Sequence, residues 1–159
     1  MTGAPSAPLS AVDDTVDVEY GQFCLQDMAR MHAAAEVPVP PGGNWLLAGG
    51  RGGVLFQSAE SDHSPAIRVE LWATQPPARD EPFDATADAT FSTDGTELRL
   101  WSITAAMGDE TLVLPAAGTY NVRAYVSGQA EIQAAEAAEP ASFAEGLEQW
   151  LIQIWPAEK

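Results

Sequence analysis

AIRVELWAT, residues 66–74, alternates apolar and polar side chains with a period of two. Its two faces carry Ile67, Val69 and Leu71 on one side and Arg68, Glu70 and Trp72 on the other. This period is that of a β-strand with one buried face. The stretch therefore predicts a strand that packs its aliphatic face on a core. Trp72, on the other face, either caps an edge of the core or is a contact aromatic on the surface.

Similar stretches recur on both sides of this strand. They are TVDVEYGQFCL at 15–25, FDATADATF at 83–91, TELRLWSIT at 96–104, ETLVLP at 110–115 and TYNVRAYVSG at 119–128. Turn residues such as Asp94-Gly95 separate them at short intervals, as is typical of antiparallel sheet proteins. We therefore predict an all-β fold, an antiparallel β-sandwich of about eight short strands with at most one or two short helices.

Two further segments refine this topology. The glycine-rich run at 49–53 lies between two apolar runs and predicts a hairpin. It lacks the Lys-Ser or Lys-Thr end of a phosphate-binding loop. The closing EQWLIQIWP, residues 148–156, is apolar on both faces, which predicts a central strand inserted between earlier strands.

The domain organisation follows from composition. Residues 1–14 are small and proline-containing, which predicts a disordered N-terminal arm. Residues 15–159 are expected to form one β-sandwich domain. Within it, 129–147 is rich in alanine and glutamate and contains no basic residue, so it is predicted to be an acidic loop with room for one helical turn.

Charge narrows the function classes. The chain carries 7 basic and 23 acidic residues, a formal net charge of −16. Nucleic acids and anionic membranes require a basic face, so neither is an expected partner. No apolar run approaches the length of a membrane span, and the N-terminus lacks the basic and apolar regions of a secretory signal. We therefore predict a cytoplasmic protein.

Catalytic side chains are few. Cys24 lies in an apolar run, where it is either a buried core thiol or a nucleophile that needs His32 or His63 as its base. Asp62-His63-Ser64 contains the residue types of a catalytic triad, but adjacent residues point apart. No cysteine-based metal site is possible with one cysteine. We therefore predict a protein that is not an enzyme and uses no metal or cofactor.

The densest acidic cluster suggests a binding function. The predicted partner-binding residues are the acids Asp80, Glu81, Asp84 and Asp88, with Trp72 and Trp101 from the polar sides of their strands. Acidic side chains speed association with a basic protein, and aromatic anchors slow its dissociation. The same two tryptophans support an alternative, an aromatic platform for a small molecule or carbohydrate. The sequence predicts neither the oligomeric state nor the identity of the partner.

Four segments together resemble one protein family. They are VDVEYGQFCLQD at 16–27, GGVLFQSAE at 52–60, AIRVELW at 66–72 and the hairpin LPAAGTYNVRAY at 114–125. They resemble the competence protein J family of small bacterial β-sandwich proteins, which is associated with inhibition of a DNA-entry nuclease. The resemblance implies an inhibitor or immunity protein whose basic partner is a nuclease or toxin. It assigns no functional residue to this chain.

Overall fold

A computed structural model describes residues 7–104, 106–140 and 143–158, and in this part of the chain the structure is mostly β-strand. The strands are β1 (Ser10–Asp14), β2 (Gln22–Asp27), β3 (Leu47–Gly50), β4 (Gly53–Gln57), β5 (Ser64–Leu71), β6 (Ala85–Thr93), β7 (Glu97–Ser102), β8 (Leu112–Val113), β9 (Gly118–Ser127) and β10 (Glu145–Pro156). One helix, α1 (Gln129–Ala138), and one 3-10 turn (Ala34–Glu36) complete them. The prediction of an all-β sandwich is confirmed.

The strands form two five-stranded sheets. Sheet 1 has the order β1-β5-β10-β9-β6, and sheet 2 has the order β3-β4-β2-β7-β8. Neighbouring strands are antiparallel except β5 and β10, which run parallel. As predicted, the last strand is central, because β10 pairs with β5 on one side and β9 on the other. The segment 114–125 is not a hairpin, since β8 and β9 belong to different sheets.

The core lies between the two sheets and consists of the inward-facing residues of each strand. Aromatic side chains occupy its centre. Phe23 and Phe56 stack with ring centroids 5.0 Å apart, and Trp150 contacts both rings edge-on at 5.1 and 5.6 Å. Such pairs stabilise a core beyond the area that they bury. These three residues therefore join β2, β4 and β10 across the sandwich.

Glycines allow the predicted hairpin to close one side of the sandwich. Gly50 pairs with Gly53 at the turn between β3 and β4, which confirms the hairpin. A Cβ atom on Gly49 would lie 1.9 Å from the carbonyl oxygen of Thr90. Only glycine therefore permits this approach of β3 to β6, which are edge strands of different sheets.

Irregular segments cover parts of the outer faces of both sheets. On sheet 2, Ala34 and Val37 pack with Trp101 in a second apolar cluster. On sheet 1, the backbone N–H of Arg79 donates to the Tyr125 hydroxyl at 3.2 Å. The ring of Phe83 packs 4.6 Å from that of Tyr125. Some residues that point away from the core, such as Glu70 and Trp101, are consequently buried as well.

Two predictions of unfolded or loop structure are wrong. Ser10–Asp14 form strand β1 rather than a disordered arm, because their backbone pairs with β5 and Val12 packs against the core. Residues 1–6 of the predicted arm lie outside the described residues. Residues 129–147 are not one loop, since α1 occupies Gln129–Ala138 and β10 begins at Glu145.

Helix α1 forms because alanine, glutamate and glutamine favour helix and because one apolar side chain anchors it. Ile132 is fully buried, whereas the rest of the helix is largely exposed. The Asp84 carboxylate accepts the backbone N–H of Gln129 at 3.0 Å, which suits the start of a helix. Within the described ranges, no helix is long and apolar enough to cross a membrane.

Candidate functional site

The predicted acidic cluster lies on the β6 side of sheet 1. Its four carboxylates are all exposed: Asp80, Glu81, Asp84 and Asp88. Asp88 forms an ion pair with Arg123 at 2.8 Å, and Glu81 forms one with Arg79. Asp84 is bonded to α1 as described above. Three of the four carboxylates are therefore engaged within the molecule.

A cleft of about 510 Å³ lies beside this cluster and contains charges of both signs. Asp88 lines it together with Arg79, Arg123 and Tyr125. A hydrogen bond from Arg79 lowers the pKa of Glu81. The arginines thus compensate much of the negative charge, and the cluster presents a weaker field than its sequence suggests.

Trp72 is buried, which corrects its prediction as an exposed contact residue. It follows β5 on the outer face of sheet 1, and only 6% of its surface is exposed. Its indole N–H donates to the Glu70 carboxylate at 2.9 Å. A partner can therefore reach little of this side chain.

Trp101 is also buried, with 3% of its surface exposed. It lies on the outer face of sheet 2 under the segment that contains Ala34 and Val37, and His32 contacts its ring edge-on at 5.5 Å. Trp72 and Trp101 belong to different sheets and are both covered. The predicted aromatic platform for a small molecule or carbohydrate is therefore wrong.

Glu70, which the sequence pattern placed on a solvent face, is the centre of a buried polar network. Its carboxylate accepts hydrogen bonds from Arg68 at 2.9 Å, Trp72 at 2.9 Å and Gln153 at 3.1 Å. Burial raises the pKa of Glu70, but the hydrogen bonds from Arg68, Gln153 and Trp72 outweigh it and lower the pKa below 4.5. In its charged state, Glu70 therefore ties β5 and the residue after it to β10 on the outer face of sheet 1.

Acid is expected to weaken the fold through Glu70. Because its pKa is lower in the folded state, its charge contributes stability above the unfolded value of 4.5 and loses it as the pH falls through the folded pKa. Glu70→Gln should therefore flatten the pH dependence of the free energy of unfolding below pH 4.5. Urea unfolding at several pH values measures this slope, with Glu139→Gln at an exposed position as the control. Equal slopes in wild type and Glu70→Gln would contradict the assignment.

Cys24 is a core thiol, as one of the two interpretations of the sequence holds. It is 1% exposed, and its Sγ lies 3.6 Å from the Trp101 carbonyl oxygen. Burial raises the pKa of Cys24 to about 12. Neither a thiolate nor an accessible path to a substrate is therefore present at neutral pH.

Native protein is accordingly expected to resist thiol reagents. At pH 8, Ellman's reagent should label Cys24 at least about tenfold faster in guanidinium chloride than in buffer, because only the unfolded chain exposes an ionisable thiol. Absorbance at 412 nm follows the reaction. Rapid stoichiometric labelling of the folded protein would show that Cys24 is accessible and reactive.

Sequence reasoning missed a buried trio of Ser58, His63 and Glu148. The Glu148 carboxylate accepts hydrogen bonds from the Ser58 hydroxyl at 2.7 Å, the Trp150 indole N–H at 2.7 Å and the Ala59 backbone N–H at 3.0 Å. The Nε2 atom of His63 lies 2.8 Å from Ser58 Oγ. The trio therefore connects the loop at 58–63, between β4 and β5, to β10.

The order of these bonds differs from that of a catalytic triad. Ser58 gives its one hydrogen to Glu148, so His63 Nε2 donates to Ser58 and to the Glu60 carbonyl oxygen at 3.1 Å. In a triad the serine donates to Nε2 and the carboxylate holds Nδ1. Here Nδ1 is buried without a hydrogen-bond partner among the described residues. The trio thus ties this loop to β10 and does not activate Ser58.

In the described part of the chain, no three or more histidine, cysteine, aspartate or glutamate side chains are grouped so that they could hold an ion.

Comparison with known proteins identifies the fold. No protein-family model matches the chain, and no curated protein sequence matches it. A crystal structure of ComJ, inhibitor of the DNA degrading activity of NucA, from Bacillus subtilis, matches with a TM-score of 0.57 and 13% identity over 94% of this chain and 97% of that one. A structure described as crocagin biosynthetic gene J matches with a TM-score of 0.59 and 14% identity over 94% and 100%. The chain therefore has the fold of ComJ, as its sequence resemblance predicted.

Proposed function

We propose that this protein is a non-enzymatic binding module that inhibits a basic nuclease in the cytoplasm. The observation that carries the proposal is the fold, which over 94% of the chain is that of a protein described as a nuclease inhibitor. The net charge of −16 supports a basic partner, because opposite charges steer association. A DNA-binding cleft is basic, so an acidic protein can occupy it in place of the nucleic acid.

The internal contacts also favour binding over catalysis. Cys24 is buried. The Ser58 hydroxyl donates its hydrogen to Glu148, whereas a nucleophilic serine donates it to a histidine base. The acids Asp80, Glu81, Asp84 and Asp88 remain candidates for partner contact at their exposed positions. Of the four carboxylates, only that of Asp80 makes no ion pair or side-chain hydrogen bond in the described structure.

Capture followed by an activity assay tests the proposal. The protein is immobilised, an extract of the organism that encodes it is passed over at low salt, and bound proteins are eluted with a salt step. The eluate is expected to contain a nuclease whose DNA degradation stops when this protein is added back. A column carrying ovalbumin, also acidic, controls for charge alone. No more nuclease activity on the test column than on the control, or no inhibition on add-back, would contradict the proposal.

Binding to that nuclease is expected to depend on salt. The Debye length shortens from about 10 Å at 0.1 M salt to about 3 Å at 1 M, which screens exposed charges. Between 50 and 500 mM NaCl the association rate constant should therefore fall by about tenfold or more. Stopped-flow fluorescence or surface plasmon resonance measures it. A rate constant that does not change with salt would show that charge does not guide docking.

A further inference from the structure

Large apolar side chains are exposed at one end of the sandwich. Tyr20 is 80% exposed, Phe143 43% and Leu147 38%, although most other large apolar side chains are buried. Other large apolar side chains are exposed elsewhere, among them Leu9 and Val113, but these three belong to segments that pair with or adjoin residues 62–64. Exposed aromatic residues are the usual anchors of protein interfaces.

Backbone pairing brings the segments with these side chains together. Val18 forms a bridge with His63 and accepts the backbone N–H of Asp62 at 2.9 Å. On the other side, the backbone N–H of Ser64 donates to the Ala144 carbonyl oxygen at 3.0 Å. Adjacent strands lie about 4.8 Å apart, so segments 17–20 and 143–145 flank 62–64 and lie roughly 10 Å from each other. We call the surface formed by 17–20, 58–64 and 143–147 the end surface.

The end surface is acidic and lacks compensating arginines. Its carboxylates belong to Asp17, Glu19, Glu60, Asp62 and Glu145. Among the described residues, the arginine ion pairs all involve other acids. A hydrogen bond from the Thr104 hydroxyl lowers the pKa of Glu19 and keeps that carboxylate charged. The end surface therefore differs from the cluster around Asp88, where arginines offset the charge.

The backbone of the two aromatic residues is unusual. Tyr20 has φ 56° and Phe143 has φ 56°, in the left-handed region that bulky residues rarely adopt. A side chain that is mostly exposed recovers little stability from folding to offset this strain. Folding alone thus gives no physical reason for an aromatic side chain at position 20.

From these observations we infer that the end surface is where the basic partner docks. Tyr20 and Phe143 enter apolar recesses of the partner, and the uncompensated carboxylates face its lysines and arginines. The inference rests on the proposed function and names the surface that performs it. It moves the contact away from the cluster of Asp80, Glu81, Asp84 and Asp88.

The aromatic anchors are tested with the nuclease recovered by the wild-type protein. Tyr20→Gly and Phe143→Asn suit a positive φ and leave the core untouched, so the thermal midpoint should stay close to that of wild type. Each is expected to weaken inhibition about tenfold or more, and the double variant about 100-fold. Val113→Ala, at another exposed apolar position, is the matched control and should inhibit as wild type does.

Charge is tested with two triple variants that change the net charge equally. The first is Asp17→Asn, Asp62→Asn and Glu145→Gln at the end surface. The second is Asp80→Asn, Glu81→Gln and Glu158→Gln elsewhere on the exposed surface. The first should lower the association rate constant about tenfold, and the second should leave it within about twofold of wild type.

The outcomes separate the two proposals. If wild type inhibits the nuclease and the Tyr20→Gly, Phe143→Asn double variant inhibits it equally well, the end surface is not the contact and the proposed function stands. Greater loss in the second triple variant than in the first would assign docking to the Asp80 region instead. If wild type inhibits no nuclease, both proposals fail.

Discussion

Trp150→Ala is expected to lower the free energy of unfolding by about 3–5 kcal/mol, the cost of removing a large aromatic side chain from a packed core. Trp150 is 3% exposed and contacts Phe23 and Phe56 across the two sheets. Its removal leaves a cavity where the aromatic rings of β2, β4 and β10 meet. Glu148 also loses its indole donor. Guanidinium unfolding followed by circular dichroism measures the loss.

Two further variants separate the loss of the ring from the loss of the hydrogen bond to Glu148 and provide a control. Trp150→Phe keeps a ring in the core but removes the hydrogen bond to Glu148, so it is expected to cost about 1–3 kcal/mol. It also provides a folded protein if Trp150→Ala does not fold. Trp45→Ala, at a half-buried position outside the main core, is the control and should cost about 1–2 kcal/mol. A loss below about 1 kcal/mol in Trp150→Ala would show that the aromatic cluster does not govern stability.

The fold was largely predictable because alternation reports strand faces directly. The pattern of 66–74 placed Ile67, Val69 and Leu71 inward, and all three are in the core. The closing segment was predicted to be central because both of its faces are apolar, and β10 is central. These inferences need only a period of two and the identity of each side chain.

The exposure of Trp72 and Trp101 was not predictable in the same way. Parity shows which face of a sheet a residue occupies, but not whether another segment covers that face. The covering segments are irregular: Ala34 and Val37 pack over sheet 2, and Arg79 and Phe83 contact sheet 1. Such segments have no period, and their prolines predict only that they are not central strands.

The site residues depend on strand order, which local patterns do not contain. Ser58 and His63 contact Glu148 only because β10 lies parallel to β5 with Glu145 opposite Ser64. Tyr20 lies inside a stretch that was predicted to be one strand, whereas the strand begins after it at Gln22. The Tyr20-Gly21 pair was the available signal for a turn there, since glycine favours positive φ.

Glu148→Leu is the second variant with a large expected effect, about 3–5 kcal/mol in the free energy of unfolding. Leucine fills a similar volume, so no large cavity forms. Three buried or half-buried donors lose their acceptor: the Ser58 hydroxyl, the Trp150 indole N–H and the Ala59 backbone N–H. Each donor left unsatisfied in the interior costs about 1–3 kcal/mol. His63 loses the ordered serine that accepts its Nε2 hydrogen.

Urea unfolding of Glu148→Leu, Glu145→Leu and the double variant Ser58→Ala, Glu148→Leu tests this argument. Glu145 is exposed on the same strand, so its replacement should change stability by no more than about 0.5 kcal/mol. Ser58→Ala removes one of the stranded donors, so the double variant should be more stable than the sum of the single losses predicts. If Glu148→Leu is as stable as wild type, the desolvation cost of the buried carboxylate equals the value of its hydrogen bonds. The trio would then fix the position of the loop before β5 relative to β10 without stabilising the fold.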